Sequence, residues 1–442
     1  MFCVLHRLSS KRDLAGGKRI SWRAKMVKVV VALGSILVGA TFTLRFYRQQ
    51  HKKRSSRISK EEKKTADVTK GEPRIGIIGD IFMDVVVEAQ HQSFVIFTRN
   101  YWLGGIKKFP DWGMDELTQS PIKLMPGGGG LNSALILGGL QQACGSGSVE
   151  LHSLIGYDKF GDVVRNRVHG TRVSLIYTEE AARRVSTGIC VCFSGGEEGK
   201  MDRAFITYRG AMAAFNGDDL DIDQLQRVSH VHIAGYYNFP KMWSALSSIV
   251  PALKKKNITV SCNPQWDASE EWRGLADLYN DLDYLIMNED EAFQLTRQAK
   301  LGDALEKFHS QGLKMAIVTI GAKGAVASIR EYHSSEEDSK KKKNSPVVRW
   351  YWHKAKNVSE VLDTTGAGDA FTGGYLFEWS RSGDVRKALQ MGCAVGSAMV
   401  TKLGASATLT LDDIRGYMCS DCLSEESAPS NSVLQHIAIG DE

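Results

Sequence analysis

The chain lacks a dense cysteine framework. Its 8 cysteines are scattered over 442 residues, at 3, 144, 190, 192, 262, 393, 419 and 422. That pattern excludes a disulfide-stapled secreted scaffold and fits a reducing compartment. Cys419 and Cys422 have zinc-knuckle spacing but no second ligand pair nearby, so no metal centre is expected there. Internal repeats are absent as well, which removes solenoid and propeller architectures. The body also lacks positive charge. Residues 1–60 hold 15 Lys/Arg against the single acid Asp13, leaving 41 Lys/Arg against 49 Asp/Glu for the remainder. The overall charge of +6 therefore belongs to the N-terminal segment, and a mildly acidic body disfavours nucleic-acid partners. With 43% hydrophobic and 24% charged residues, the chain can bury one large core or two moderate ones.

A full-length apolar span is missing too. The uncharged run 29–44 has sixteen residues, short of the roughly 20 that cross a bilayer, and basic clusters flank it on both sides. Its first reading is a single membrane anchor. A second is a cleaved organelle address, with the small residues Val38-Gly39-Ala40 at the cleavage point. A third is a single amphipathic presequence, which the long uncharged run disfavours. Residues 1–72 are read as this segment plus a charged linker.

From Pro73 the texture changes to short apolar runs alternating with helix-length segments. Strands are expected at 74–79, 150–155, 230–234, 258–262, 284–287, 315–320 and 358–362. Helices are expected at 131–142, 242–256, 289–297, 302–310, 370–379 and 387–401. That alternation predicts an α/β fold with a parallel sheet covered on both faces. The polar stretch 331–345 reads as an inserted hairpin tip, and 416–442 as a disordered tail. His230 and His232 alternate on a strand and read as core residues rather than a metal pair.

Several motifs carry chemistry. Asp363-Thr364-Thr365-Gly366-Ala367-Gly368-Asp369 opens an expected helix. The N–H groups of Gly366, Ala367 and Gly368 would lie at its N-terminus, where anions bind, and Asp369 could take a proton from an attacking hydroxyl. Asp80 and Asp84 follow the first strand, at the end where open α/β sheets bind ligands. A second glycine loop, Gly127-Gly128-Gly129-Gly130, leads to Asn132; it is followed by no Lys-Ser/Thr, so it is not a Walker A loop. Asn288 and Glu291 open a helix after an apolar strand, with the bland reading of an acidic helix start. Thr319, Gly321 and Gly324 follow another strand.

In this order the motifs resemble the ribokinase-like (PfkB) family of carbohydrate and nucleoside kinases, over roughly 73–415. The resemblance implies a three-layer α/β sandwich with a mostly parallel central sheet and a small β lid, supplied by about 85–125 and 183–214. It implies Asp369 as base, the 366–368 amides as anion hole, and Asp84, Gly128, Gly130 and Asn132 as acceptor-binding residues. Asn288 and Glu291 would organise Mg²⁺ and the phosphates of ATP, with Thr319, Gly321, Gly324 and Gly404 lining the nucleotide side. A monovalent cation and a homodimer formed through the lid also belong to what it implies. Two departures blur the substrate: Gly129 stands where many sugar-selective members carry Lys, and Met212 stands where Asn is frequent after the lid run Tyr208-Arg209-Gly210-Ala211. The expected reaction is ATP-dependent phosphorylation of a small carbohydrate. A nucleoside kinase is the alternative, and a catalytically silent membrane-recruited scaffold a more distant one.

Overall fold

The computed structural model describes residues 72–88, 95–97, 100–102, 121–197, 200–331, 347–405, 407–418 and 422–425. The apolar run 29–44, Cys419 and all of the insertion 331–345 beyond Glu331 lie outside them. Chain contacts divide the molecule into Met1–Val68 and Thr69–Glu442, and every described residue falls in the second unit. No helix among the described residues is long and apolar enough to cross a membrane.

Among the described residues sixteen strands occur in chain order: β1 Arg74–Gly79, β2 Phe82–Glu88, β3 Val95–Phe97, β4 Asn100–Trp102, β5 Lys123–Gly127, β6 Ser148–His152, β7 Val173–Ile176, β8 Gly188–Glu197, β9 Lys200–Tyr208, β10 His230–Ala234, β11 Thr259–Asn263, β12 Tyr284–Asn288, β13 Met315–Thr319, β14 Ala325–Glu331, β15 Val347–His353 and β16 Cys422–Glu425. The large sheet runs β16-β15-β14-β13-β12-β11-β10-β1-β6-β7. It is parallel from β7 to β13 and antiparallel from β13 to β16. A smaller sheet, β5-β2-β8-β9, forms the lid, and β3 pairs with β4.

The central strands are apolar on both faces because both faces are covered. Along β1, Ile75 and Ile77 enter one core and Ile78 the other; along β12, Tyr284 and Ile286 part from Leu285 and Met287 in the same way. One core is roofed by α1 (Gly129–Ala143), the other by α2 (Trp243–Lys255). Two further helices, α3 (Ala367–Ser382) and α4 (Val385–Met399), complete the first layer. This is the three-layer sandwich with a β lid that the motifs implied. Gly373 lets α3 approach α1 closely: a Cβ there would lie 2.8 Å from Ile136 Cγ2. That contact brings the starts of both glycine-loop helices to one place.

Three expectations need correction. Residues 358–362 form no strand: Val361 and Leu362 are exposed, and the Leu362 N–H donates to Val400 O at 2.8 Å. Branched residues alone do not make a strand when no neighbouring strand offers a ladder. The helix that follows begins at Ala367, three residues before the expected start. The segment 416–442 holds β16, which pairs through its main chain with β15 at the end of the large sheet. Such pairing uses main-chain groups and needs no apolar periodicity in the side chains. The insertion's flanks do pair as a hairpin, with Glu331 opposite Val347.

Candidate active site

The carboxyl ends of the parallel strands converge on one region. Only Asp80 and Ile81 separate β1 in the main sheet from β2 in the lid. The joint is tight. Gly79 and Gly130 are backbone neighbours, a Cβ on either falling 2.6 Å from the other's Cα. Gly128 adopts φ +97°, where a Cβ would meet Asp80 O at 2.7 Å. These glycines are there for close approach.

Asp80, rather than Asp84, is the deeply buried carboxylate. It accepts hydrogen bonds from Gly130 N and from Asn238 Nδ2, both at 2.8 Å. Burial pushes its carboxyl up to about 6, with Asp369 adding in the same direction and the Gly130 and Asn238 bonds opposing. Asp84 lies on β2, paired with Met125 of β5 on one side and Cys190 of β8 on the other. Its carboxylate fills the space over Gly127, where a Cβ would lie 2.0 Å from Asp84 Oδ2. Burial, then the charges of Asp80 and Asp369, raise it to about 7. Cys190 is pushed up to about 11 by burial, so this thiol beside the site stays protonated.

Asp369 stands in the first turn of α3 and is joined to the other glycine loop. Asn132 Nδ2 donates to its Oδ2 at 2.8 Å, and Ser133 Oγ donates to its backbone carbonyl at 3.2 Å. Gln265 Nε2 approaches the other oxygen, Oδ1, at 3.4 Å. The preceding turn is shaped by Gly366 at φ +75°, packed so that a Cβ would lie 2.6 Å from Ala405 Cβ. Gly368, in contrast, faces open space. The Ala367 N–H turns back to Thr364 O at 3.3 Å. Asp363 braces the turn from below: its Oδ1 accepts from Thr365 N at 2.8 Å and its Oδ2 from Gly404 N at 3.0 Å. Gly404 is thus tied to the anion turn through one carboxylate.

On the opposite flank, Asn288 ends β12 and caps the helix Glu289–Thr296. Asn288 Oδ1 accepts from Glu291 N at 2.8 Å, and Glu291 Oε2 accepts from Asn288 N at 3.0 Å, a complete capping box. The motif therefore has a structural role as well as any ligand role. Glu291 is only 6% exposed, and burial, with Asp369 adding to it, raises its carboxyl to about 7. Among the described residues no three Asp, Glu, His or Cys side chains form a metal cage. One buried carboxylate and one carboxamide, hard oxygen donors facing further negative charge, fit Mg²⁺, which takes few protein ligands and keeps its waters. Thr319 closes β13 with its Oγ1 on Met287 O at 3.4 Å. Gly321 is open at φ +51°, whereas Gly324 is pinned against His353 O.

The histidines belong to the core. His230 and His232 are buried, bonded to Thr259 and Ser261, and desolvation holds both down at about 3. Arg209, after β9, donates to Tyr237 O at 3.3 Å. Two site residues had no motif to announce them: Asn238, after β10, and Gln265, after β11. Both lie just past a parallel strand's carboxyl end, and that position is the one signal that points to them.

A family model for pfkB family carbohydrate kinases matches residues 108–411. The chain belongs to this family. Among its relatives, the probable fructokinase-3 of Arabidopsis thaliana is 25% identical over 318 residues, covering 67% of this chain and 84% of that protein. The cytidine kinase of Thermococcus kodakarensis is 28% identical over 159 residues, covering 34% of this chain. That match spans 50% of the cytidine kinase, about half its length. The ribokinase of Arabidopsis thaliana, solved with ribose and ATP, superposes with a TM-score of 0.57 at 19% identity, over 78% of this chain and 99% of that one. At that identity the likeness shows the shared pfkB-type fold.

Proposed function

We propose that the protein is an ATP-dependent kinase that phosphorylates a hydroxyl of a small carbohydrate, with the primary alcohol of a sugar as acceptor. The observation that carries this reading is the Asn132–Asp369 bond. It joins a carboxylate in the first turn of a helix to a second glycine loop that opens beside two further carboxylates. Asp80 and Asp84 hold the acceptor's other hydroxyls, and Gly128 and Gly130, packed against Asp80 and Gly79, fix the loop that borders it. Asp369 takes the proton of the attacking hydroxyl, with its carboxylate oriented by Asn132. The amides of Gly366, Ala367 and Gly368 carry the charge that spreads over the transferring phosphoryl group, so catalysis is positioning plus electrostatics. Asn288 and Glu291 would hold Mg²⁺ and its waters, and the bound ion would supply charge neutralisation between the ATP phosphates. Thr319, Gly321, Gly324 and Gly404 line the nucleotide side.

A nucleoside acceptor is the second reading. It is favoured by the similarity to the cytidine kinase and by Trp266, 48% exposed next to Gln265, an aromatic face that a base could use. The exposed apolar residues Leu124, Phe205, Ile206 and Tyr208 on β5 and β9 support a homodimer through the lid. The run 29–44 supports a membrane anchor, with cleavage of an organelle address as its rival. A coupled ATP-consumption screen of sugars against nucleosides tests the substrate class. Asp369→Asn is expected to lower turnover by about 10²–10⁴-fold while ATP still binds. Substantial turnover by that variant would remove Asp369 as base.

A further inference from the structure

Gln265 sits in the loop after β11 with a left-handed backbone, φ +54°, an uncommon conformation for a residue with a side chain. Its N–H donates to Asn263 Oδ1 at 3.0 Å, which holds the turn. The side chain then runs from Asn238 to Asp369. Its Oε1 accepts from Asn238 Nδ2 at 3.0 Å, and the same Asn238 amide donates to Asp80 Oδ2 at 2.8 Å. Because a carboxylate only accepts, this arrangement turns the Nε2 end of Gln265 towards Asp369. Asp80, Asn238, Gln265, Asp369 and Asn132 thus form one unbroken chain from the acceptor side to the base. Its weakest link is the 3.4 Å contact from Gln265 to Asp369, against 2.8 Å from Asn132. An incoming hydroxyl would displace that contact first and leave the carboxamide free to bond the acceptor.

Gly129 explains why a glutamine fits. A Cβ on Gly129 would lie 1.7 Å from Gln265 Nε2 and 3.1 Å from Asp369 Oδ1. Either a side chain at 129 or this carboxamide can occupy the space, not both. We propose that Gln265, lodged over Gly129, is the specificity-determining residue of the acceptor site: its carboxamide bonds a hydroxyl next to the one being phosphorylated. The proposal rests on the kinase reading above.

The test uses the full chain with MgATP and four acceptors: D-ribose, D-fructose, adenosine and cytidine. Kinetics are compared for wild type, Gln265→Ala, Gly129→Ala and the double variant, with thermal melting to confirm folding. Gln265→Ala is expected to raise the acceptor KM about tenfold and reorder the four acceptors, with the KM for ATP within about twofold. Gly129→Ala is expected to cut kcat/KM, and adding Gln265→Ala should relieve part of that loss. An unchanged acceptor KM and ranking in a folded Gln265→Ala variant overturns the proposal and leaves the kinase reading standing. If wild type phosphorylates none of the four, the kinase reading fails and takes this assignment with it.

Discussion

Replacing Asp84 by Asn is expected to stabilise the unliganded protein, and to do so more at pH 8 than at pH 5. Its carboxyl is raised from 3.8 to about 7, first by burial and then by the charges of Asp80 and Asp369. The native protein therefore keeps a proton that the unfolded chain releases near pH 4. Between those values native protein binds more protons than unfolded, so its stability falls as pH rises through the window and levels off above about 7. At about 1.4 kcal/mol per pKa unit, ionised Asp84 costs up to about 4 kcal/mol. The figure is nearer 2 if Asp80 or Asp369 takes up the proton in its place. Asparagine carries no charge to desolvate. Roughly two of the three units accumulate above pH 5, so the advantage of Asp84→Asn should grow by up to about 3 kcal/mol from pH 5 to pH 8. Urea unfolding of both proteins at the two pH values, without nucleotide or acceptor, measures this directly. An advantage that is equal at both values, or a variant less stable than wild type at pH 8, would refute the reasoning. If Asp84 holds acceptor hydroxyls as proposed, the same variant should also bind the acceptor more weakly.

Two further substitutions test the supporting geometry. Gly366→Ala must take a left-handed backbone and press a Cβ to within 2.6 Å of Ala405 Cβ and 2.7 Å of its Cα. A loss of about 2–4 kcal/mol in unfolding free energy is expected, together with slower turnover; a loss below about 0.5 kcal/mol would mean the turn is looser than described. Asn288→Ala removes one half of the capping box and should lower stability by about 1 kcal/mol. It should also raise the Mg²⁺ concentration needed for half-maximal ATP consumption, and an unchanged Mg²⁺ requirement would assign Asn288 to capping alone.

Much of the architecture was legible because the two periods are clean. Runs such as RIGIIG and YLIMN, apolar on both faces and spaced by helix-length segments, admit little besides a covered parallel sheet. The candidate site stretches were legible as separate pieces, since glycine turns followed by Asp369 or Asn132 carry their chemistry locally. Their contact was not, because Asn132 and Asp369 lie 237 positions apart and meet only through the packing of α1 on α3. Asp84 drew attention as the residue fitting the resemblance, yet Asp80 is the one locked to Gly130 and Asn238. The difference arises at the sheet-to-lid joint, which sequence spacing does not reveal. Gln265 depends on a backbone conformation that no side-chain pattern encodes. The failure at 358–362 has the opposite cause: local preference was present and the partner strand was not.

The two-residue joint between β1 and β2 couples geometry to charge. Asp80 travels with the main sheet and Asp84 with the lid, so any swing of one sheet against the other changes the separation of two carboxylates that already repel. That repulsion opposes any closer approach of the two carboxylates. A polyol placed between them, or a proton shared across them, would relax it. If the proposed acceptor docks between these two carboxylates, acidity alone should mimic part of its effect on the joint.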